Sequence, residues 1–150
     1  VPLFLTGFNV DIEKGTSEAL HSWEDILPTL AELAGVEIPG PTDGKSMAPA
    51  LKGDPATGHD GIYGLCGGQH LNHWLVSGKY KYIWFPKTNE EQLFDLSTDP
   101  NECKDLSANE NLLAPLRKLM AEKMDDEDRA GYVLENLQPC KNQPPKIFFG

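Results

Sequence analysis

The sequence predicts an α+β fold: a small antiparallel sheet of about four strands packed on a C-terminal helix. Three features lead there. Between Gly61 and Leu96, short segments rich in aromatic and β-branched residues follow one another at close spacing. Leu112, Leu113, Leu116, Leu119, Met120 and Met124 then mark one face of a helix. Ahead of both, a separate helical pattern over 25–34 follows an apolar run that no other strand in the chain would cover.

That run is Val1-Pro2-Leu3-Phe4-Leu5, which reads as a strand buried on both faces, and such strands belong inside a larger sheet. Residues 8–19 are polar and turn-rich. Ile26, Leu27, Leu30, Leu33 and Ala34 share a helical face, and Gly35 supplies a natural stop. Pro28 is tolerated only in a first helical turn, which makes Asp25 a better N-cap than Ser22. Residues 36–43 carry two prolines and read as a loop. Ser46 to Leu51 then looks like one helical turn, capped by Ser46 and ended at Gly53.

Gly61 to Cys66 is a weak strand, whereas His73–Ser77 and Tyr80–Phe85 are stronger ones joined by Gly78-Lys79 in a tight hairpin. Gln92–Leu96 completes a meander, and Asp99-Pro100-Asn101-Glu102 turns the chain toward the last helix. Pro115 places the start of that helix no earlier than about Asn111. Four carboxylates at Asp125-Asp126-Glu127-Asp128 oppose the helix dipole, so fraying is expected there. Residues 129–150 are expected to run as an extended tail, which leaves divisions at 1–60, 61–128 and 129–150.

Composition excludes several functions. Thirteen Lys and Arg stand against 23 Asp and Glu, a net charge of −10, which argues against nucleic acid and against an anionic membrane surface as partners. No apolar run approaches the roughly 20 residues of a membrane-spanning helix. The three cysteines, Cys66, Cys103 and Cys140, form no C-x-x-C pair, so a zinc ribbon or a thioredoxin-type centre is excluded. An odd count permits at most one internal disulfide, and a Cys103–Cys140 pair stays open. The chain shows no signal peptide and does not open on Met, which suggests that residue 1 is not where the gene product begins.

No catalytic set emerges from residue chemistry alone. His59-Asp60, His70 and His73 lie close in sequence, but two residues three apart on a strand point to opposite faces. The bland alternative has one histidine exposed and the other packed or hydrogen-bonded. The 125–128 carboxylates lack the turn glycine that a calcium loop uses, so no metal ligands are assigned. Asp43-Gly44-Lys45-Ser46 echoes the end of a phosphate loop but lacks its upstream glycine and its preceding strand. Cys66 near His70 could make a nucleophile pair, though a small thiol beside a flexible loop explains it equally.

The order of the motifs carries more than any one of them. Asp25-Ile26-Leu27-Pro28-Thr29-Leu30 with Leu33-Ala34-Gly35 precedes Asp43-Gly44-Lys45-Ser46-Met47. Lys79–Phe85, Glu91-Gln92-Leu93-Phe94-Asp95-Leu96 and Asp99-Pro100-Asn101-Glu102 follow. Over residues 1 to about 124 this series resembles the late part of a formylglycine-dependent sulfatase of the alkaline-phosphatase superfamily. The resemblance implies that residues 1–60 are the last strand and helix of an α/β catalytic domain, and that a smaller C-terminal subdomain follows. It also implies a nucleophile made from Cys or Ser within C/S-x-P-x-R, together with calcium. That motif is absent from the 150 residues, and no position here matches the family's calcium ligands or catalytic His and Lys.

The resemblance therefore implies a C-terminal fragment, inert alone, whose partners are its own N-terminal catalytic domain and a sulfate ester. Family habit implies a periplasmic or secreted location. The loop Gly67-Gly68-Gln69-His70-Leu71-Asn72-His73 carries donors suited to a sulfate or a sugar hydroxyl, so Gln69, His70 and His73 are the candidate substrate-binding residues. An ordinary solvent-facing loop is the competing reading. Two other functions compete with the first: a stand-alone interaction domain with this fold, and a fragment of a phosphonate or phosphodiester hydrolase. If residues 1–5 and the 25–34 helix have lost their sheet, they should expose an apolar patch and favour self-association.

Overall fold

The computed structural model describes the chain apart from residues 1, 2, 8, 9, 11, 55–57, 68–70, 125–131, 134–137 and 140–150. Two compact units divide it, Val1–Asp60 and Gly61–Gly150.

In the first unit a 3-10 turn, Trp23–Asp25, runs directly into helix α1, Ile26–Ala34. Helical structure thus begins three residues before the expected point. Ser22, with extended backbone, occupies the cap position, and Asp25 accepts its N–H at 2.9 Å. The early start is compatible with Pro28 because the backbone of Gly44 lies against the Glu24 carbonyl that Pro28 cannot reach with an N–H. Gly35, at φ +65°, closes the helix, and Val36 donates back to Ala31 at 2.9 Å. Helix α2, Ala48–Leu51, follows as one turn, with Ser46 Oγ accepting the Ala48 N–H at 3.1 Å and Gly53 at φ +87°.

The buried side of α1 is not its apolar side. Pro28 and Thr29 are buried, whereas Trp23, Leu27 and Leu30 are 74%, 60% and 53% exposed. The outward apolar stripe is the patch expected of a helix without its sheet. Leu3–Leu5 forms no strand, and Phe4 is 88% exposed. A strand exists only through ladder hydrogen bonds, and among the described residues none pairs with this segment.

The second unit is a meander of β1 (Ile62–Cys66), β2 (Asn72–Ser77), β3 (Tyr80–Phe85) and β4 (Glu90–Asp95), antiparallel in that order. Gly78, at φ +53°, turns β2 into β3. The register stacks Tyr63, Leu75, Tyr82 and Leu93 in one row and Leu65, His73, Trp84 and Glu91 in the next, all on one face. Helix α3, Glu110–Lys123, covers that face, and Leu113, Leu116, Met120 and Ala121 join Leu75, Tyr82, Trp84 and Leu93 in a single apolar core. On the other face the indole of Trp74 lies across Gly64, its cross-strand partner. Leu106 donates to the Leu93 carbonyl at 2.7 Å and Asp105 accepts the Leu93 N–H at 3.0 Å, sealing the outer edge of β4.

Several boundaries differ from the sequence reading, most by one or two residues. β4 starts two residues early because Asn89, at φ +59°, tightens the turn after β3. α3 begins at Glu110, which puts Pro115 in its second turn, where the residue is exposed and the carbonyl it leaves unbonded can meet water. Met124 ends α3, and the acidic run 125–128 lies outside the described residues. In the tail the backbone pairs β5 (Tyr132–Val133) with β6 (Gln138–Pro139) as a short antiparallel ladder.

Candidate functional site

The densest polar constellation is in the first unit and centres on Asp25. Its carboxylate is completely buried. Oδ1 accepts the Lys45 N–H at 2.7 Å and the Nε2 of His59 at 2.8 Å. Oδ2 accepts the Ser22 N–H at 2.9 Å and lies 3.2 Å from Nδ1 of His21, four residues earlier. Its carbonyl accepts the Thr29 hydroxyl at 2.5 Å, and that hydroxyl in turn accepts the Met47 N–H at 2.8 Å. Burial alone would raise the Asp25 carboxyl, but the Ser22 N–H, the His59 ring and the Lys45 N–H together hold it below the usual carboxylate range. The group is therefore an ionised carboxylate that gathers four chain segments at one point. Sequence reasoning assigned Asp25 a helix cap and left this set unseen. The one local signal was the His21–Asp25 spacing, since Lys45 and His59 are 20 and 34 residues away.

The loop proposed for substrate contact is described in part. Gln69 and His70 lie outside the described residues. His73 lies on β2, 3% exposed, facing the core side of the sheet. Its Nδ1 is 2.7 Å from the Tyr63 hydroxyl, and its ring stacks against Tyr63 and Trp84 at centroid distances of 5.9 and 5.2 Å. Trp84 Nε1 donates to Asn89 Oδ1 at 3.2 Å. His73 is thus the packed, hydrogen-bonded histidine of the bland alternative. Its chemistry here is to hold the end of β2 beside the loop. Cys66 and Cys103 are exposed thiols, and Cys140 lies outside the described residues.

A third group fastens α3 to the sheet. Glu91 accepts Arg117 Nε at 2.6 Å, Arg117 Nη2 at 2.7 Å and the Tyr82 hydroxyl at 2.6 Å. Arg117 also contacts Glu110. Burial opposes ionisation of Glu91, yet Arg117 and Tyr82 hold its carboxyl below the usual range. Burial, reinforced by Glu91, pushes the Tyr82 phenol far up. The set is a bidentate ion pair with a phenol donor, a structural clamp with no open position for a substrate.

No group of three or more His, Cys, Asp or Glu side chains among the described residues could hold a metal ion. Nor does any described helix have the length and apolarity to cross a membrane. A capped helix with an outward apolar stripe, followed by a four-stranded meander under one helix, defines an α+β region of the sulfatase C-terminal type. The chain belongs to the family described as N-sulphoglucosamine sulphohydrolase, C-terminal, whose model matches residues 1–130. An arylsulfatase of Clostridium perfringens is 34% identical over 113 residues, covering 73% of this chain and 23% of that protein. A Delta 4,5-hexuronate-2-O-sulfatase of Bacteroides thetaiotaomicron is 29% identical over 166 residues, covering 97% of this chain and 33% of that protein. Among solved structures, a 2-O GAG sulfatase superposes with a TM-score of 0.60 at 30% identity, covering 65% of this chain and 23% of its own. The chain spans about a quarter to a third of the length of these relatives.

Proposed function

We propose that this chain is the C-terminal region of a sulfuric-ester hydrolase and that the whole protein cleaves sulfate esters. The observation that supports the reading best is the family match over residues 1–130, in a chain 65% of which superposes on a 2-O GAG sulfatase. On this reading the formylglycine nucleophile and the calcium are supplied by the part of such enzymes that this chain does not span. The residues described here fit neither group: they hold no metal-ligand set, and the 150 residues contain no C/S-x-P-x-R. The region's own contribution is packing and positioning. The exposed Trp23, Leu27 and Leu30 stripe, and the exposed Phe4, are covered by the catalytic domain. The substrate contacts on the leaving-group side are Gln69 with His70 or His73, the last fixed on β2 by the Tyr63 hydroxyl. A periplasmic or secreted location belongs to the same proposal.

The test is to isolate the native polypeptide from its source, weigh it intact, and assay it on an aryl sulfate and on a sulfated uronate disaccharide. A mass several-fold above 16.6 kDa, a formylglycine-bearing peptide and sulfate release support the reading. A mass near 16.6 kDa without sulfate release favours a stand-alone interaction domain, and phosphonate or phosphodiester turnover in place of sulfate favours the related hydrolases. In the whole enzyme, replacing His70 and His73 together should raise KM; unchanged KM and kcat would remove the loop from the pocket.

A further inference from the structure

The two units are closed by different physics. In the second, a contiguous apolar core joins sheet and helix. In the first, the buried side chains among the described residues are Asp25, Pro28, Thr29, Met47 and Ala48, with the charged one at the centre. Its segments meet at one carboxylate: the His21–Ser22 stretch, the head of α1, the loop at Lys45, and His59, whose own N–H donates to the Leu20 carbonyl at 3.0 Å.

Two of that carboxylate's described neighbours are backbone N–H groups, fixed donors, and two are imidazole nitrogens. The N–H groups of Ser22 and Lys45, Nε2 of His59 and Nδ1 of His21 take the roughly four acceptor positions a carboxylate offers. A proton on Asp25 removes the charge these groups hold and puts an O–H donor where the Ser22 and Lys45 N–H groups already donate. Nε2 of His21 is buried and, among the described residues, has no partner. The other charged side chains on these segments, Glu18, Glu24, Asp43, Lys45 and Asp60, are exposed to solvent and leave the centre to Asp25 and the two rings. Protonation of Asp25 therefore weakens the attachments of Ser22, Lys45 and His59 to this one point.

We propose that Asp25 is an acid-released clasp: its protonation frees the Lys45 loop and the His59 segment from the head of α1, opening the first unit while the core of the second stays closed. The device stands on the geometry of the site and does not depend on the reaction of the whole protein.

Hydrogen–deuterium exchange of the full chain, read by mass spectrometry and corrected for intrinsic rates, tests it. Between neutral pH and about pH 3, protection of residues 43–54 should fall about tenfold or more, and by more than that of residues 80–95, where loss of the Glu91 and Asp105 charges also costs stability in acid. Asp25→Asn, which places an amide donor at the same point, should reproduce that loss at neutral pH. If this variant does not fold, the wild-type pH series decides alone. Retained protection of 43–54 at low pH, retained protection in folded Asp25→Asn, or equal losses in both regions would overturn the proposal.

Discussion

Gly64→Ala isolates the packing of one side chain on the sheet. A Cβ built at Gly64 would sit 2.2 Å from the Trp74 ring, nearer than real contacts come, so the indole must retreat by about an ångström. Trp74 stands directly opposite Gly64 in the β1–β2 ladder, an arrangement in which an aromatic covers a bare backbone. Overpacking of this kind costs about 1–3 kcal/mol, offset by a few tenths from the better strand propensity of Ala. We expect a net loss of about 2 kcal/mol, or roughly 8–16 °C in the midpoint of a unit this size, followed by near-ultraviolet circular dichroism. Two variants sharpen the reasoning. Gly67→Ala, which meets nothing within 4 Å, should be neutral. In Trp74→Leu the same Gly64→Ala change should cost far less than in the wild type, because the ring that collides is gone. Equal losses from Gly64→Ala in both backgrounds would refute the argument.

Gly44→Ala drives a methyl to within 2.0 Å of the Glu24 carbonyl oxygen; because backbone cannot swing aside, loss of amide protection at Lys45 by NMR should accompany it. Arg117→Met leaves Glu91 part-buried with only the Tyr82 hydroxyl among its described partners, which should cost about 2–3 kcal/mol in urea unfolding, whereas Arg117→Met with Glu91→Gln should recover part of it. Asp25, Glu91 and Asp105 all have depressed carboxyls: burial acts against each, but Ser22 and His59, Arg117 and Tyr82, and the N–H groups of Leu93 and Ser107 respectively outweigh it. A folded value below the unfolded one means that each contributes stability fully present above the ordinary carboxylate range. That stability disappears as pH falls through the folded value, so melting temperature should hold from neutral pH to about 5 and drop below about 4. Residues 61–150 expressed alone should keep dispersed NMR signals, since the apolar core lies wholly among them; a collapsed spectrum would show that this core does not suffice.

The second unit was legible in the sequence because its information is local. Alternation through His73–Ser77 and Tyr80–Phe85, a glycine in the hairpin between them, and the stripe from Leu113 to Met124 each fix an element within a few residues. Pro115 misled by one residue because a proline's missing donor matters little where the orphaned carbonyl meets solvent. In the first unit the periodic pattern identified the helix, and the missing sheet announced that its apolar face would be exposed; which polar residues would be buried in its place was not legible. Leu27 and Leu30 are apolar and exposed; Asp25 and Thr29 are polar and buried. A rule that equates apolar with inside reads such a helix backwards.

That reversal is itself informative about the candidate site. A carboxylate is buried at such expense only where fixed donors surround it, and three of the four donors to Asp25 come from loops whose sequences show no period. Loops with no core of their own are held by such a point, and the helix that carries it is left free to turn its apolar stripe elsewhere. His73 shows the opposite arrangement: a polar ring drawn into an aromatic stack, where Tyr63 satisfies one nitrogen and Trp84 covers one side. The strand argument that set it apart from His70 and expected one histidine to be packed holds: its place on β2 beside Leu75 and Trp84 turns it toward the core side of the sheet. Sequence proximity put both histidines in one loop; the pleat of the strand decides what His73 can touch.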